Sequence, residues 1–184
     1  LGLSHPNDDV EDPDYNRDVT IMSKRDGDHV IGGLVNRQAK TPMLYDIAAI
    51  QSLYGANFSY KGEANTSHTF DGSKVARTIW DGGGAGDVLD ASNQTTDVTL
   101  DLREGFDKDG KQYVTKVGNE RVFNAYHANI ENAKGGSGND FIYGNDKQAE
   151  SGQYAAFNGN NKLEGGAGND TIHGGTGDNI IDGG

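Results

Sequence analysis

Two aspartates, Asp140 and Asp170, each end a short glycine-rich segment, a position from which a carboxylate could bind a cation. The surrounding pattern is Gly-Gly-x-Gly-x-Asp-x-U-x, where U is a large apolar residue, and complete copies occupy 135–143 and 165–173. Glycines allow tight turns in which backbone carbonyl oxygens can point inward. Because calcium is bound by mixtures of carboxylate and carbonyl oxygens, this pattern indicates calcium chemistry.

Two imperfect copies extend the repeat. The segment 174–182 has Asn179 at the aspartate position, and a longer, degenerate copy spans 144–164 and contains Asn161. Since an amide carries no charge, we expect these two copies to bind calcium more weakly. A linker with chance periodicity is a poorer interpretation because the copies are nearly complete. A phosphate-binding loop is also disfavoured, because no lysine follows the glycines as it does in a P-loop.

The elements that must position these residues are short strands formed by the x-U-x ends of the units. Two units make one coil of a parallel β-roll, so alternate units lie on the same side of the roll. We therefore predict that Asp140 and Asp170 share an ion and that Asn161 and Asn179 lie on the opposite side. The predicted calcium ligands within the repeats are Gly136, Gly138, Asp140, Gly166, Gly168, Asp170, Gly175, Gly177 and Asn179.

The apolar ladder of such a roll is narrow, consisting of Ile142, Leu163, Ile172 and Ile181. Each side chain contributes about 1.5–3 kcal/mol when buried. Ordering the backbone costs about 1–2 kcal/mol for every residue of the repeats. The ladder alone cannot offset that cost, so we expect bound ions to hold the turns together.

Composition excludes several other classes of protein. The chain has 184 residues, with 28 Asp and Glu against 16 Lys and Arg, and a formal net charge of −12. An excess of acidic residues disfavours nucleic-acid binding, which needs Lys and Arg. No apolar run approaches the ~20 residues of a membrane span. The absence of cysteine excludes disulfides and thiolate metal sites, so any metal must be held by oxygen or imidazole.

A helix is predicted upstream of the roll. Thr41 is the expected N-cap, Pro42 fits the first helical position and Gly55 is a suitable terminator. We expect the helix to pack its apolar stripe against the first coil of the roll. That stripe comprises Leu44, Ile47, Ala48, Gln51 and Tyr54.

The segment 58–134 is less regular but contains alternating apolar patterns typical of strands. The sequence Asp107-Lys108-Asp109-Gly110 predicts a turn rather than an EF-hand, because neither its glycine nor a glutamate falls at the required loop position. The predicted strands are Val75–Trp80, Val98–Leu102, Tyr113–Val117 and Val122–Tyr126.

The repeats match the RTX calcium-binding nonapeptide, and the first 57 residues resemble the serralysin family of secreted zinc metalloproteases. Leu1-Gly2-Leu3-Ser4-His5-Pro6 is similar to the end of the metzincin zinc motif, and Thr20-Ile21-Met22-Ser23 to its Met-turn. Residues 42–57 are similar to the helix that closes the serralysin catalytic domain. The resemblance implies that His5 is a zinc ligand in the intact parent and that Met22 packs beneath the metal.

The resemblance also implies further calcium ligands upstream of the repeats. The acidic glycine-rich turn 81–87 is similar to a serralysin calcium turn with one added residue, although a solvated acidic loop remains the alternative. Asn129 and Glu131 are expected to complete the first repeat site, beside Asp140. The ligands expected at the upstream site are Lys61 through its carbonyl, Glu63, Asp81, Gly83, Gly84 and Asp87.

Taken together, these features predict a mainly β fold in which a parallel β-roll, 58–184, follows a remnant of an α+β metzincin catalytic domain, 1–57. The His-Glu-x-x-His segment would lie before residue 1, so this chain alone is expected to be inactive. The intact parent is expected to be a secreted, extracellular endopeptidase that binds one zinc and several calcium ions. Its expected partners are protein substrates, type I secretion machinery and the missing part of the catalytic domain, with no nucleic acid and no membrane span.

An alternative function is a non-catalytic, calcium-dependent RTX binding or adhesion module derived from a protease. Two departures from the family pattern favour it. Lys24 stands where serralysins usually place a tyrosine ligand after the Met-turn, and the loop 6–21 is shorter than in the family.

Overall fold

The structure is a computed structural model that describes residues 21, 38–57, 65–82, 86–146 and 159–184. Within these ranges the chain forms one helix, α1 (Leu44–Tyr54), and a series of short strands. The strands are β1 (Gln38–Ala39), β2 (Ser67–Thr69), β3 (Val75–Ile79), β4 (Val88–Asp90), β5 (Thr99–Asp101), β6 (Thr115–Val117), β7 (Glu120–Asn124), β8 (Asn132–Lys134), β9 (Phe141–Tyr143), β10 (Lys162–Glu164), β11 (Thr171–His173) and β12 (Ile180–Asp182).

The strands form two sheets between which the chain alternates. Sheet A has the order β1-β3-β7-β6-β5-β9-β11, and sheet B has the order β12-β10-β8-β4-β2. All pairings in sheet B are parallel, as are β5 with β9 and β9 with β11 in sheet A. Since β8, β9, β10, β11 and β12 alternate between sheets, each sheet receives one strand per coil. This is the predicted parallel β-roll.

The central residue is buried between the sheets in the three-residue strands β4, β5, β8, β9 and β10, because side chains alternate along a strand. In sheet A, Leu100 pairs with Ile142, and in sheet B Ala133 pairs with Leu163. These four side chains are fully buried in one apolar cluster. The cluster also contains Phe70, Ile79, Leu89, Ala91, Val98, Leu102, Val117, Val122 and Ile130, so the core is larger upstream of the repeats than the repeats alone predict.

The core becomes thinner toward the end of the chain. Ile142 and Leu163 are completely buried, and Ile172 is only partly buried. Ile181 is 50% exposed because it lies on β12, the outermost strand of sheet B. The predicted ladder is therefore confirmed for its first three members, and its last member contributes little burial.

An antiparallel hairpin interrupts the regular coils. Strands β6 and β7 pair with each other and are inserted into sheet A between β5 and β3. All four strands predicted between 58 and 134 are observed: three have shorter bounds, and the strand predicted at Val122–Tyr126 lies two residues upstream, at Glu120–Asn124. The predicted turn at Asp107 is also observed, since its carboxylate accepts hydrogen bonds from the N–H groups of Asp109 and Lys111 at 2.9 and 2.8 Å.

Helix α1 packs onto this part of sheet A through Met43 and Leu44, which join a second buried cluster with Ala76 of β3 and Phe123 of β7. Contact with the first coil is thus confirmed. Tyr54, predicted to lie on the same stripe, is 69% exposed. Within the described ranges, no helix is long and apolar enough to cross a membrane.

The predicted N-cap of α1 is wrong. The helix begins at Leu44 with Met43 as N-cap, and the Asp46 carboxylate accepts a hydrogen bond from the Met43 N–H at 2.8 Å. Thr41 instead accepts a hydrogen bond from the Thr78 N–H at 2.7 Å, which ties the chain before the helix to β3. Gly55 ends the helix as predicted, with φ 80° and its N–H donating to the Gln51 carbonyl at 2.8 Å.

We predict that Ile142→Ala lowers the free energy of unfolding by about 2–5 kcal/mol, because it leaves a cavity in the fully buried core. Ile181→Ala removes the same atoms from a half-exposed site and should cost much less. Urea denaturation of both variants at saturating calcium measures the difference. Equal losses would contradict the assignment of Ile142 to the interior of the roll.

Candidate calcium-binding site

The turns between the two sheets form two rims of the roll, each a row of stacked turns. The first rim contains the turns from sheet B to sheet A, which are 70–74, 91–98, 135–140 and 165–170. The second rim contains the described parts of the turns from sheet A to sheet B, which are 80–82 with 86–87, 125–131, 144–146 with 159–161, and 174–179. Residues immediately before paired strands stack, so each rim carries a column of side chains at the aspartate position of the repeat.

On the first rim, this column consists of Val98, Asp140 and Asp170. The Asp140 Oδ1 accepts a hydrogen bond from the Val98 N–H at 2.9 Å, and the Asp170 Oδ1 accepts one from the Asp140 N–H at 2.8 Å. Each aspartate therefore uses one oxygen to tie its own turn to the preceding coil. The sequence prediction that Asp140 and Asp170 lie on the same side of the roll agrees with this geometry.

The remaining oxygens of these aspartates differ. Asp140 Oδ2 accepts a hydrogen bond from the Gly136 N–H at 2.7 Å. Asp170 Oδ2 is buried and has no hydrogen-bond partner within the described part of the chain. An unpaired buried carboxylate oxygen is costly unless a cation or a donor satisfies it.

Carbonyl oxygens approach the same turns closely. A Cβ atom built on Gly166 would lie 2.2 Å from the Gly136 carbonyl oxygen, and one built on Gly168 would lie 2.0 Å from that of Gly138. Both positions also have positive φ, at 98° and 122°. Only glycine fits there, because the carbonyls of one turn point at the backbone of the next.

This donor set fits calcium, which combines carboxylate and carbonyl oxygens. Asp170 supplies an unpartnered carboxylate oxygen, and Gly136 and Gly138 direct carbonyl oxygens into the stack. Among the described residues, no three His, Asp or Glu side chains converge on one point. At the aspartate position of the first rim, the charged side chains that could bind an ion are thus the two aspartates, with the backbone as the other source of oxygen.

The upstream end of the second rim contains a different acidic group. The Glu131 Oε2 accepts hydrogen bonds from the N–H groups of Gly86 and Asp87 at 3.1 and 3.0 Å. Asp87 is fully buried; its Oδ1 accepts a hydrogen bond from the Thr66 N–H at 2.7 Å, and its Oδ2 has no partner in the described structure.

Asp81 is also buried here, and its carbonyl accepts a hydrogen bond from the Asn129 N–H at 2.8 Å. These contacts correct one prediction. Asn129 and Glu131 lie beside the Asp81–Asp87 turn on the second rim, not with Asp140 on the first. The reason is the pairing of β4 with β8, which aligns Val88 with Asn132 and so stacks the residues that precede them.

Burial, together with the neighbouring Asp87 carboxylate, raises the pKa of Glu131 to about 7, although backbone hydrogen bonds act to lower it. A calcium ion would favour the ionised form of Glu131. The unpartnered Asp87 oxygen and the raised pKa of Glu131 both indicate a site suited to a cation.

The downstream end of the second rim carries Asn161 and Asn179 at the aspartate position, as predicted. The Asn179 Oδ1 accepts a hydrogen bond from the Asn161 N–H at 2.9 Å, the same contact that the aspartates make on the first rim. The Asn179 Nδ2 lies 3.4 Å from the carbonyl oxygens of both Gly175 and Gly177, two of the predicted calcium ligands.

Several predicted site residues lie outside the described residues. They are the proposed zinc ligand His5, the Met-turn residue Met22, and the upstream calcium ligands Lys61, Glu63, Gly83 and Gly84.

Sequence reasoning missed a second column of side chains, one residue before the aspartate position. The Asp97 Oδ1 accepts a hydrogen bond from the Asn139 N–H, and the Asn139 Oδ1 accepts one from the Asn169 N–H, both at 2.8 Å. On the second rim, the Asn160 Oδ1 accepts one from the Asp178 N–H at 2.8 Å. The sequence did contain a signal for this column, because asparagine recurs at the position before the aspartate, which the repeat pattern leaves unspecified.

Comparison with known proteins agrees with this geometry. The family model described as "RTX calcium-binding nonapeptide repeat (4 copies)" matches residues 128–146 and 156–184. These two segments contain the first-rim aspartates and both asparagines of the second rim. The chain therefore carries RTX calcium-binding repeats.

Longer similarity exists to metalloproteases. The chain is 35% identical to "Metallopeptidase AprA" of Pseudomonas marginalis in an alignment of 172 residues that covers 79% of this chain and 35% of the relative. It is 36% identical to "Serralysin" of Proteus mirabilis, covering 79% of this chain and 33% of the relative. It is 37% identical to "Serralysin C" of Dickeya chrysanthemi, covering 77% and 33%.

The chain thus spans about a third of the length of these curated relatives. Combined with the repeats and the β-roll, this similarity identifies it as a serralysin-like C-terminal portion with calcium-binding RTX repeats.

We predict that, in a calcium chelator, Glu131 makes stability fall as pH rises from about 4.5 to about 7. A carboxyl whose pKa is raised by folding contributes stability that is present below its unfolded pKa and is lost as pH rises through its folded pKa. Urea midpoints measured across this pH range should fall in the unsubstituted chain, and they should fall less in Glu131→Gln. Identical pH profiles for the two chains would contradict the proposed burial of Glu131.

Proposed function

We propose that this chain is the calcium-dependent β-roll portion of a secreted zinc metalloendopeptidase whose intact form hydrolyses proteins. The observation that carries the proposal is the stacked pair Asp140 and Asp170 on a rim lined by glycine carbonyls, within a chain related to serralysins. Residues 1–57 would belong to the catalytic domain and residues 58–184 to the roll.

Calcium would act by satisfying oxygens that folding brings together. Folding buries Asp140 and Asp87 and leaves an oxygen of Asp87 and one of Asp170 without a hydrogen-bond donor in the described structure. A cation bound only by the folded state stabilises it by about 1.4 kcal/mol at ten times its Kd. Two or more ions of this kind would decide whether the roll folds.

This dependence suits secretion by a type I machinery. With a net charge of −12, the chain would repel itself and stay unfolded where free calcium is low, and it would fold where external calcium is abundant. The lack of cysteine is consistent with this route, since folding does not wait for oxidation. Helix α1 would anchor the catalytic domain to the roll through its contacts with β3 and β7.

In the intact parent, His5 would supply one imidazole to zinc, and Met22 would pack beneath the metal. A catalytic zinc needs three protein ligands, an open position for water and a base. His5 alone cannot provide them, so activity would require the parent's other ligands.

The calcium proposal is tested on the full chain with Asp170→Asn, which keeps the shape of the side chain and removes its charge. We expect equilibrium dialysis with calcium to give one fewer bound ion and urea denaturation to give a lower midpoint at equal calcium. Asp178→Asn is the matched control, because it removes one charge from an exposed position of the same repeats. If Asp170→Asn retains every ion, the first rim is not a calcium site.

The protease proposal is tested on the intact parent. We expect it to contain zinc and to hydrolyse casein, and we expect His5→Ala to remove most of both. A calcium-replete parent that holds no zinc and cleaves nothing would support the second candidate, a non-catalytic RTX binding module, which Lys24 and the short loop 6–21 favour.

A further inference from the structure

The asparagines of the second rim place a nitrogen where the aspartates of the first rim place an oxygen. A Cβ built on the first glycine of each complete unit would lie 2.5 Å from Asp140 Oδ2 and 2.4 Å from Asp170 Oδ2. The corresponding atom of Asn179 is Nδ2, at 2.9 Å, and that of Asn161 is Nδ2, at 3.0 Å. The two rims therefore hold atoms of opposite hydrogen-bonding character in equivalent places.

The nitrogen of Asn161 is surrounded by oxygens. Its Nδ2 lies 2.8 Å from the Gly159 carbonyl, 3.2 Å from that of Asn145 and 3.3 Å from that of Gly174. A fourth oxygen, the Asn179 Oδ1, lies 3.1 Å away. Asn161 is only 2% exposed, so its Nδ2 is shielded from water and is satisfied by these oxygens instead.

The orientation of this amide follows from the same contacts. The Asn161 Oδ1 has no hydrogen-bond partner in the described structure, whereas the Nδ2 has four oxygens within reach. Reversing the amide would place an oxygen against four oxygens, which is unfavourable without an ion. Asn179 repeats the arrangement with the carbonyls of Gly175 and Gly177.

We propose that the side-chain amides of Asn161 and Asn179 take the place of calcium on the second rim, so that this part of the roll is closed by hydrogen bonds and binds no ion there. This replaces our sequence prediction that Gly175, Gly177 and Asn179 are calcium ligands. The inference rests on the proposed function, because it presumes that the carboxylates of the first rim do bind calcium.

The physical basis is a choice between two ways of satisfying the same carbonyl oxygens. A carboxylate adds negative charge to the group and requires a cation to balance it. An amide of nearly identical shape adds two N–H donors and no charge, so it can satisfy two of these oxygens within the chain and leaves no added charge for a cation to balance. The downstream end of the second rim would therefore keep its structure at calcium concentrations that empty the first rim.

The test measures how urea midpoints depend on free calcium concentration, since the slope of stability against the logarithm of calcium reports the ions released on unfolding. Asn161→Asp should increase this slope by one ion per chain, and equilibrium dialysis should count one more bound calcium. Asn160→Asp is the matched control, because it adds the same charge at the exposed neighbouring position and should leave both values unchanged. An unchanged ion count in Asn161→Asp would overturn the proposal.

A second variant covers the case in which Asn161→Asp does not fold. Asn161→Ala should lower the urea midpoint by a similar amount at every calcium concentration, with the slope and the ion count unchanged. Loss of one ion in Asn161→Ala would show that Asn161 is a calcium ligand and would also overturn the proposal. Failure of the proposed function is distinct, because the stability of the unsubstituted chain would then not depend on calcium concentration at all.

Discussion

The close stacking of glycine turns is the constraint on which the rest of the roll depends. Because a carbonyl oxygen of one turn points at the backbone of the next, the turns can approach only where side chains are absent, as at Gly166 and Gly168. This approach concentrates oxygens at both rims. The residue at the aspartate position decides how those oxygens are satisfied, and the core between the sheets cannot compensate if they are not.

The two rims satisfy this constraint with different chemistry. On the first rim, Asp140 and Asp170 bring negative charge and favour a divalent cation. On the second rim, Asp87 and Glu131 do the same at the upstream end, while Asn161 and Asn179 supply donors downstream. Except at Asn161, whose Oδ1 has no partner in the described structure, the side chain also accepts an N–H from the preceding coil, a contact worth about 0.5–1.5 kcal/mol. This hydrogen bond between successive coils therefore occurs on both rims, and the rims differ in the charge of the side chain that accepts it.

The amount of buried apolar surface changes along the chain. Upstream of the repeats, the hairpin β6–β7 and helix α1 add a second apolar cluster around Phe123. Downstream, burial decreases from Ile142 to the half-exposed Ile181. Hydrophobic burial is strongest where the coils are irregular, and the regular repeats, which have least core, are also where turn oxygens are most closely stacked.

Much of this structure was determined by the sequence alone. The nine-residue period predicts the roll, the inward residues, the opposite placement of the aspartates and asparagines, and oxygen-based calcium chemistry, because each follows from local turn geometry and alternation. Only the tertiary structure decided that Glu131 stacks on the backbone of Asp87, which is 44 residues away, and that the amide of Asn161 meets carbonyls from three turn residues. The register between parallel strands across an inserted hairpin or a long loop depends on packing of whole coils, and no local pattern encodes it.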